Sequence, residues 1–195
     1  MENKEKIMTG EESLRIISDM ITRTKVNIRQ GSFHLLFWGW LIFACSISDY
    51  LLIKFSDFTH PFYVWIFIIP GIFVSLIYGF ASGRKTRVRT YADSLYMWTW
   101  LGFMVAAIVL FIVSWKKMDT FGLYILLLAG IPTFISGFII KFRPLVAGGI
   151  SFWIIVLIIH FSGTSLAPLG MPVAMLTGYL IPGYMLKSKV NNDTV

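Results

Sequence analysis

Six long apolar stretches divide this chain, and they constrain its fold more than any other feature. A helix needs about 20 predominantly apolar residues to cross the roughly 30 Å of hydrocarbon in a bilayer. Helices satisfy their backbone hydrogen bonds internally, so stretches of this length predict spanning helices. The six predicted spans are His34–Ile53, Phe62–Phe80, Leu95–Trp115, Phe121–Lys141, Pro144–Phe161 and Leu166–Leu186.

The overall composition agrees with this prediction. Apolar residues make up 56% of the 195 residues and charged residues only 14%, whereas soluble domains are usually about 25% charged. A soluble fold of this size would lack the polar side chains needed to cover its surface. We predict a cytoplasmic N-terminal segment (residues 1–31), one transmembrane domain (32–187) and a short cytoplasmic tail (188–195).

Positive charge is distributed unevenly between the two sides of the predicted membrane. All but three of the 17 Lys and Arg residues fall on one side, and the exceptions are Lys54, Lys116 and Lys117. Because Lys and Arg collect in cytoplasmic loops, this pattern predicts that both termini are cytoplasmic. The net charge of +7 therefore reflects topology, and we expect no nucleic-acid partner.

The segment before the first span has the pattern of an amphipathic helix. Leu14, Ile17, Ile21 and Ile28 recur at helical spacing, and most charged residues fall on the other face. The pattern predicts a helix of about 20 residues that ends near Gly31. Such a helix can lie among lipid headgroups in the interface, or it can dock against the loops of the bundle or a partner protein. Both interpretations stay open.

A repeated pattern suggests that the spans form three hairpins. Each even-numbered span carries two small-xxx-small steps, which place small residues on one helix face and let another helix approach closely. These residues are Gly71, Ser75, Gly79, Ala129, Thr133, Gly137, Gly170, Ala174 and Gly178. The first and third spans share the form Trp-x-Trp-Leu-x-Phe, beginning at Trp38 and Trp98. We predict an all-α membrane protein, a six-transmembrane-helix bundle built from three helical hairpins and preceded by an N-terminal amphipathic helix.

Each even-numbered span also contains proline, which removes a backbone donor and kinks a helix. These prolines are Pro70, Pro132, Pro172 and Pro182. A cavity between kinked helices would suit a small transporter, or a bundle that binds a lipid or a neutral small molecule. The simpler interpretation is that the small residues pack helices together and the kinks are tolerated. The same small residues are compatible with a homo-oligomer.

Ionisable residues deep in a membrane often mark function, and few occur here. The candidates Asp49, His60 and His160 map to the outer face, together with Asp57 and Asp119. Imidazole and carboxylate groups can bind metals or respond to pH, but no two of these residues have metal-ligand spacing along one helix. Solvated interfacial groups are the simpler interpretation. With no nucleophile–base pair, phosphate-binding loop or Cys-x-x-Cys motif, we expect no catalytic residue, no cofactor and no metal.

Five short segments of the chain carry a resemblance to other proteins. They are Glu12-Ser13-Leu14, Trp38-Gly39-Trp40-Leu41, the stretch from Gly130 to Gly137, the stretch from Lys141 to Ile150, and Tyr179-Leu180-Ile181-Pro182-Gly183-Tyr184 before Lys187. Together they resemble a group of small uncharacterised multi-pass bacterial membrane proteins. The resemblance implies a bacterial inner-membrane location and no particular activity.

These observations predict an integral inner-membrane protein with a structural, regulatory or partner-binding role and no enzyme activity. Its expected partners are membrane lipids and a protein that binds the N-terminal helix. The alternative is a small transporter or a lipid- or small-molecule-binding bundle with a cavity between the even-numbered helices.

Overall fold

A computed structural model of the chain describes residues 10–56, 60–83, 91–115, 118–162 and 167–192, with side chains from Ser32 onward. Every regular element within these ranges is helical. The described residues include six helices that are long and apolar enough to cross a membrane, which confirms the prediction of an all-α fold with six such helices and fits a multi-pass membrane protein. These spans, numbered one to six, are Ser32–Phe55, Pro61–Ala81, Tyr91–Ser114, Phe121–Ile139, Arg143–Ser162 and Pro168–Lys189.

Seven α-helices and three shorter helical segments make up the described chain. The α-helices are α1 (Gly10–Phe55), α2 (Ile68–Gly83), α3 (Tyr91–Ser114), α4 (Phe121–Ile139), α5 (Arg143–Ser162), α6 (Ala167–Met175) and α7 (Ile181–Asn192). The 3₁₀ helices Pro61–Phe67 and Met118–Thr120 precede α2 and α4. Span six consists of α6, the π-helical segment Leu176–Leu180 and α7.

The first helix is the longest element of the fold. α1 continues for 46 residues, so the predicted helix end near Gly31 is not observed. A single glycine costs a helix only about 1 kcal/mol, and no proline between Gly10 and Phe55 removes a backbone donor. The helix of span one therefore continues without a break into the N-terminal segment.

Proline accounts for the irregular parts of spans two and six. Pro70 lies in the first turn of α2, directly after a 3₁₀ helix. Pro182 lies in the first turn of α7 and cannot donate to the carbonyl of Gly178, four residues earlier. In the π segment before it, the N–H of Ile181 bonds to the carbonyl of Leu176, five residues back. The π segment therefore leads directly into the first turn of α7, which contains Pro182.

The spans form a row whose order differs from their order in sequence. α1 packs most extensively against span six, and α4 packs most extensively against α5, while α2 packs against α1 and α3 against α4. The order in space is two, one, six, five, four, three. Only 6% of the most apolar window is buried in spans two and three, against 56% in span six, which agrees with terminal and central positions. The largest contacts join different predicted hairpins, so the three-hairpin arrangement stays a prediction.

Glycine lets the backbones of α4 and α5 touch. A Cβ added to Gly137 would lie 2.6 Å from the backbone nitrogen of Val146, and one added to Gly149 would lie 2.6 Å from that of Phe134. The adjacent Gly148 faces the other neighbour, where a Cβ would lie 2.8 Å from the carbonyl oxygen of Gly178. The glycine pair in α5 therefore allows close packing against spans four and six at once.

A tight turn joins α4 to α5. The N–H of Phe142 bonds to the carbonyl of Gly137 (2.8 Å), and the N–H of Lys141 bonds to that of Phe138 (3.1 Å). These are the two bonds of a Schellman motif, whose next-to-last position needs a left-handed residue. Lys141 occupies it with φ 52°. Pro144 is the second residue of α5. Backbone N–H groups in the first turn of a helix have no acceptor within the helix, so the missing N–H of proline costs little there.

Candidate functional site

The three predicted polar candidates have separate surroundings. The indole N–H of Trp65 donates to the carboxylate of Asp49, which joins span two to span one. Both His60 and His160 are exposed, and their rings contact aromatic residues next to them in sequence. The structure thus places Asp49 in a helix contact and leaves the two histidines at the surface.

A metal site at this end of the bundle has no support within the described ranges. No group of three or more His, Cys, Asp or Glu side chains there could hold a metal ion. Asp57 lies outside those ranges, as does the side chain of Asp119.

The predicted small residues lie mostly against a neighbouring helix. A Cβ on Gly71 would lie 2.5 Å from the Leu41 side chain of α1, and Ser75 bonds to α1 as well. The buried members are Gly71, Ala129, Thr133, Gly137, Gly170, Ala174 and Gly178. Gly79 differs, because nothing lies within 4 Å of the position of its Cβ. It faces outward from the terminal span of the row.

Tryptophan indoles connect the helices by hydrogen bonds. Five of them donate to a different span: Trp38 to the Ser75 hydroxyl (3.3 Å), Trp40 to the Tyr184 hydroxyl (3.1 Å), Trp65 to Asp49, Trp100 to the Ser136 hydroxyl (3.1 Å) and Trp153 to the Leu127 carbonyl (3.1 Å). Spans five and six are joined by the hydroxyls of Ser151 and Thr177, 2.9 Å apart. Every adjacent pair of spans in the row is therefore linked by at least one polar bond. Interhelical bonds in membranes contribute about 0.6–2 kcal/mol each.

These bonds do not follow the sequence repeat. Trp38 is the first tryptophan of its Trp-x-Trp motif, whereas Trp100 is the second of its own, yet both donate to a serine of the following span. Trp98, which matches Trp38 in the motif, is 61% exposed. The two copies of the motif therefore differ in which tryptophan forms the hydrogen bond to the following span.

The most buried polar groups form a cluster where spans three, four and six meet. The exposed fractions are 0% for Thr133, 1% for Ser136 and 4% for Tyr179. The Thr133 hydroxyl donates to the Ala129 carbonyl (2.7 Å) and lies 3.4 Å from the Tyr179 hydroxyl. Ser136 accepts from Trp100. We call Thr133, Ser136, Tyr179 and Trp100 the central hydroxyl cluster.

The central hydroxyl cluster has little capacity for acid–base chemistry. No Asp, Glu, Lys, Arg or His occurs in residues 94–115, 121–140 or 161–186, so no general base is available beside its hydroxyls. Within the described residues, no buried side-chain N or O atom lacks a hydrogen-bond partner. The cluster therefore stabilises the packing of three spans. Sequence reasoning named Thr133 as a small residue but missed its polar partners.

A surface depression of about 390 Å³ lies on α3 and is lined by Phe111, Ile112, Val113 and Trp115. These residues belong to one helix and its end, not to the even-numbered spans. Span two packs chiefly against α1, so the three even-numbered spans are not mutual neighbours.

Comparison of the chain with protein-family models, with curated proteins and with solved structures finds no match. The residues and contacts above are therefore the only basis for a function.

Proposed function

We propose that this protein is a non-enzymatic, multi-pass protein of the bacterial inner membrane that presents a cytoplasmic helix to a partner protein. The observation that carries the proposal is the continuity of α1 from Gly10 to Phe55. The role is structural or regulatory, and the bundle of six spans serves as the anchor for that helix.

The length of α1 supports this role. At 1.5 Å per residue, 46 residues extend about 69 Å, more than twice the roughly 30 Å of hydrocarbon. The membrane span begins at Ser32, so about half of the helix lies beyond it. A helix that continues directly from a span leaves the membrane and does not turn into the interface, which favours a protein partner over lipid headgroups.

The sequence of the projecting half supports a binding surface. Helical periodicity places Leu14, Ile17, Ile21 and Ile28 on one face. Most helical stability in proteins comes from packing an amphipathic face against another element. Acidic and basic residues are nearly balanced in residues 1–31, which weakens electrostatic attachment to lipids. A partner protein would cover the apolar face of the helix, and its binding would not require a net positive charge on this segment.

The orientation of the bundle supports a cytoplasmic position for this helix. The Lys and Arg residues that follow spans two, four and six lie on the same predicted side as the N-terminal segment. Under the positive-inside rule, that side is the cytoplasm.

Photo-crosslinking in living cells tests the proposal. A photoreactive amino acid at Ile17 samples the apolar face, and the same group at Arg23 is the matched control on the polar face. We expect a discrete protein adduct from Ile17 and none from Arg23. An adduct with a second copy of this chain would identify the partner as a homo-oligomer. Lipid adducts alone from Ile17 would contradict the proposal and support an interfacial helix.

A second candidate function is binding or transport of a lipid or a neutral small molecule. The π segment favours it, because π-helical turns occur frequently at functional sites. Thr177 lies within that segment and its hydroxyl pairs with that of Ser151 on α5, so a change in the register of the segment would expose both hydroxyls. Native mass spectrometry of the protein released from mild detergent separates the two candidates. A stoichiometric small-molecule adduct, retained after deletion of Met1–Gln30, would favour this second function.

A further inference from the structure

We infer that the exposed surface where Trp40 of α1 contacts Tyr184 of α7 binds the phosphate of an anionic phospholipid, with Tyr184 as hydrogen-bond donor and Lys187 as the positive charge. This site is independent of the projecting half of α1 and of any partner that binds there.

The hydrogen-bond pattern at Tyr184 leaves a donor available. The indole N–H of Trp40 donates to the Tyr184 hydroxyl oxygen at 3.1 Å, so the hydroxyl acts as acceptor toward α1. Its own hydrogen has no acceptor among the described residues. Trp40 is 49% exposed and Tyr184 is 50% exposed, so the pair lies on the outer surface of the bundle. An exposed tyrosine hydroxyl that already accepts one hydrogen bond can still donate its own hydrogen to an acceptor outside the protein.

The depth of this pair selects the acceptor. Tyr184 lies five residues before the end of span six at Lys189, or about 7 Å along the helix. Tyr184 therefore lies near the end of its span, and tyrosine side chains are enriched where spans reach the membrane–water interface. The acceptors available there are the phosphate and ester oxygens of lipids. Soluble anions do not reach this level of the lipid-facing surface readily.

The positive charge beside Tyr184 favours an anionic lipid over a lipid without net charge. Lys187 follows Tyr184 by three residues and therefore lies on the same helix face. It is exposed and forms no ion pair with any described residue. Residues 120–192 contain no Asp or Glu, although Lys141, Arg143 and Lys189 also occur at this end of spans four to six. Basic residues near the cytoplasmic surface attract anionic lipids by about 1 kcal/mol each.

Exposed apolar residues lie below the pair. Ala44 lies one turn deeper than Trp40, and Ile181 lies one turn deeper than Tyr184. Both residues are exposed. They give an acyl chain an apolar surface to contact between the polar pair and the middle of the membrane.

Native mass spectrometry of the full-length protein in mild detergent tests this inference. Phosphatidylglycerol and phosphatidylcholine with identical acyl chains are titrated in parallel, and bound-lipid adducts are counted. We expect tighter binding of phosphatidylglycerol. Tyr184→Phe and Lys187→Gln should each weaken it about fivefold, because each removes one polar interaction. Tyr124→Phe is the matched control, since Tyr124 is 51% exposed on α4, and it should leave binding unchanged.

Three results would overturn the inference. They are equal binding of the two lipids, equal effects of the Tyr184 and Tyr124 variants, and release of the lipid by excess inorganic phosphate. A dimer without lipid adducts would instead assign this surface to a second copy and would overturn the inference as well. Thermal unfolding of each variant establishes that it is folded. If Tyr184→Phe is unstable, Lys187→Gln still tests the inference, because Lys187 is exposed.

Discussion

Replacing Gly149 with alanine tests whether the α4–α5 contact depends on the absence of a side chain. The added Cβ would lie 2.6 Å from the backbone nitrogen and 2.8 Å from the Cα of Phe134. Non-bonded heavy atoms prefer separations of about 3.5–4.0 Å. Backbone atoms inside a helix cannot rotate away, so the two helices must separate by about 1 Å. That separation also loosens the contact between Gly137 and Val146 along the same seam.

Two opposing effects set the size of the destabilisation. Overpacking a well-packed interior costs about 1–3 kcal/mol. Alanine is favoured over glycine in a helix by about 1 kcal/mol, which offsets part of that cost. The free energy of unfolding should therefore fall by up to about 2 kcal/mol in Gly149→Ala. For a chain of this size each kcal/mol shifts the Tm by about 2–4 °C, so we expect a decrease of up to roughly 8 °C.

Thermal unfolding in mild detergent, followed by circular dichroism, measures this change. Gly102→Ala is the matched control, because Gly102 lies within α3 and nothing lies within 4 Å of the position of its Cβ. We expect the control to keep or raise the Tm. A Tm for Gly149→Ala equal to or above that of the control would refute the close backbone contact.

Three further predictions concern the same bundle. Gly137→Leu should destabilise it more than Gly149→Ala, because a large side chain would meet the backbone of Val146; an unchanged Tm would exclude that contact. Lys141→Gly should raise the free energy of unfolding by about 0.5–1 kcal/mol, since glycine adopts a positive φ without strain, and no gain in Tm would show that the turn is unstrained. Ser136→Ala and Trp100→Phe should couple by about 0.5–1.5 kcal/mol in a double-mutant cycle, whereas additive effects would show that their hydrogen bond contributes nothing.

The number and type of the spans could be predicted from sequence because the signal is local. About 20 consecutive apolar residues are enough to indicate a spanning helix, and the observed spans differ from the predicted ones by a few residues at each end. Small residues such as Gly178 were identified by their spacing. The outward position of Gly79 could not be predicted, because it depends on which span lies beside α2.

The order of the spans had no local signal. The contact between Trp40 and Tyr184 joins residues 144 positions apart, and nothing in either segment specifies the other. The central hydroxyl cluster depends on this order, so Thr133 could be seen only as a small residue. The π segment had a recognisable signal, since Gly178 lies between Pro172 and Pro182, but proline alone does not distinguish a kink from a wider turn.

The helix end predicted near Gly31 was placed at the boundary between the amphipathic segment and the first span. Glycine ends a helix where the chain needs a left-handed residue, and α1 has no such requirement at this point. The segments on both sides of Gly31 favour helix, and their combined helix propensity outweighs the cost of one glycine.

The continuity of α1 is the central claim of this account, and a distance measurement tests it most directly. Spin labels at Ser13 and Ala44, introduced in a Cys45→Ser background because Cys45 is the chain's only cysteine, report the length of the helix by double electron–electron resonance. A continuous helix places the two positions about 46 Å apart at 1.5 Å per residue. A helix that bends at Gly31 into the membrane plane would shorten the distance to about 33 Å. The longer distance supports a projecting helix that presents its apolar face to a partner, and the shorter one would contradict the proposal and place the segment in the lipid interface.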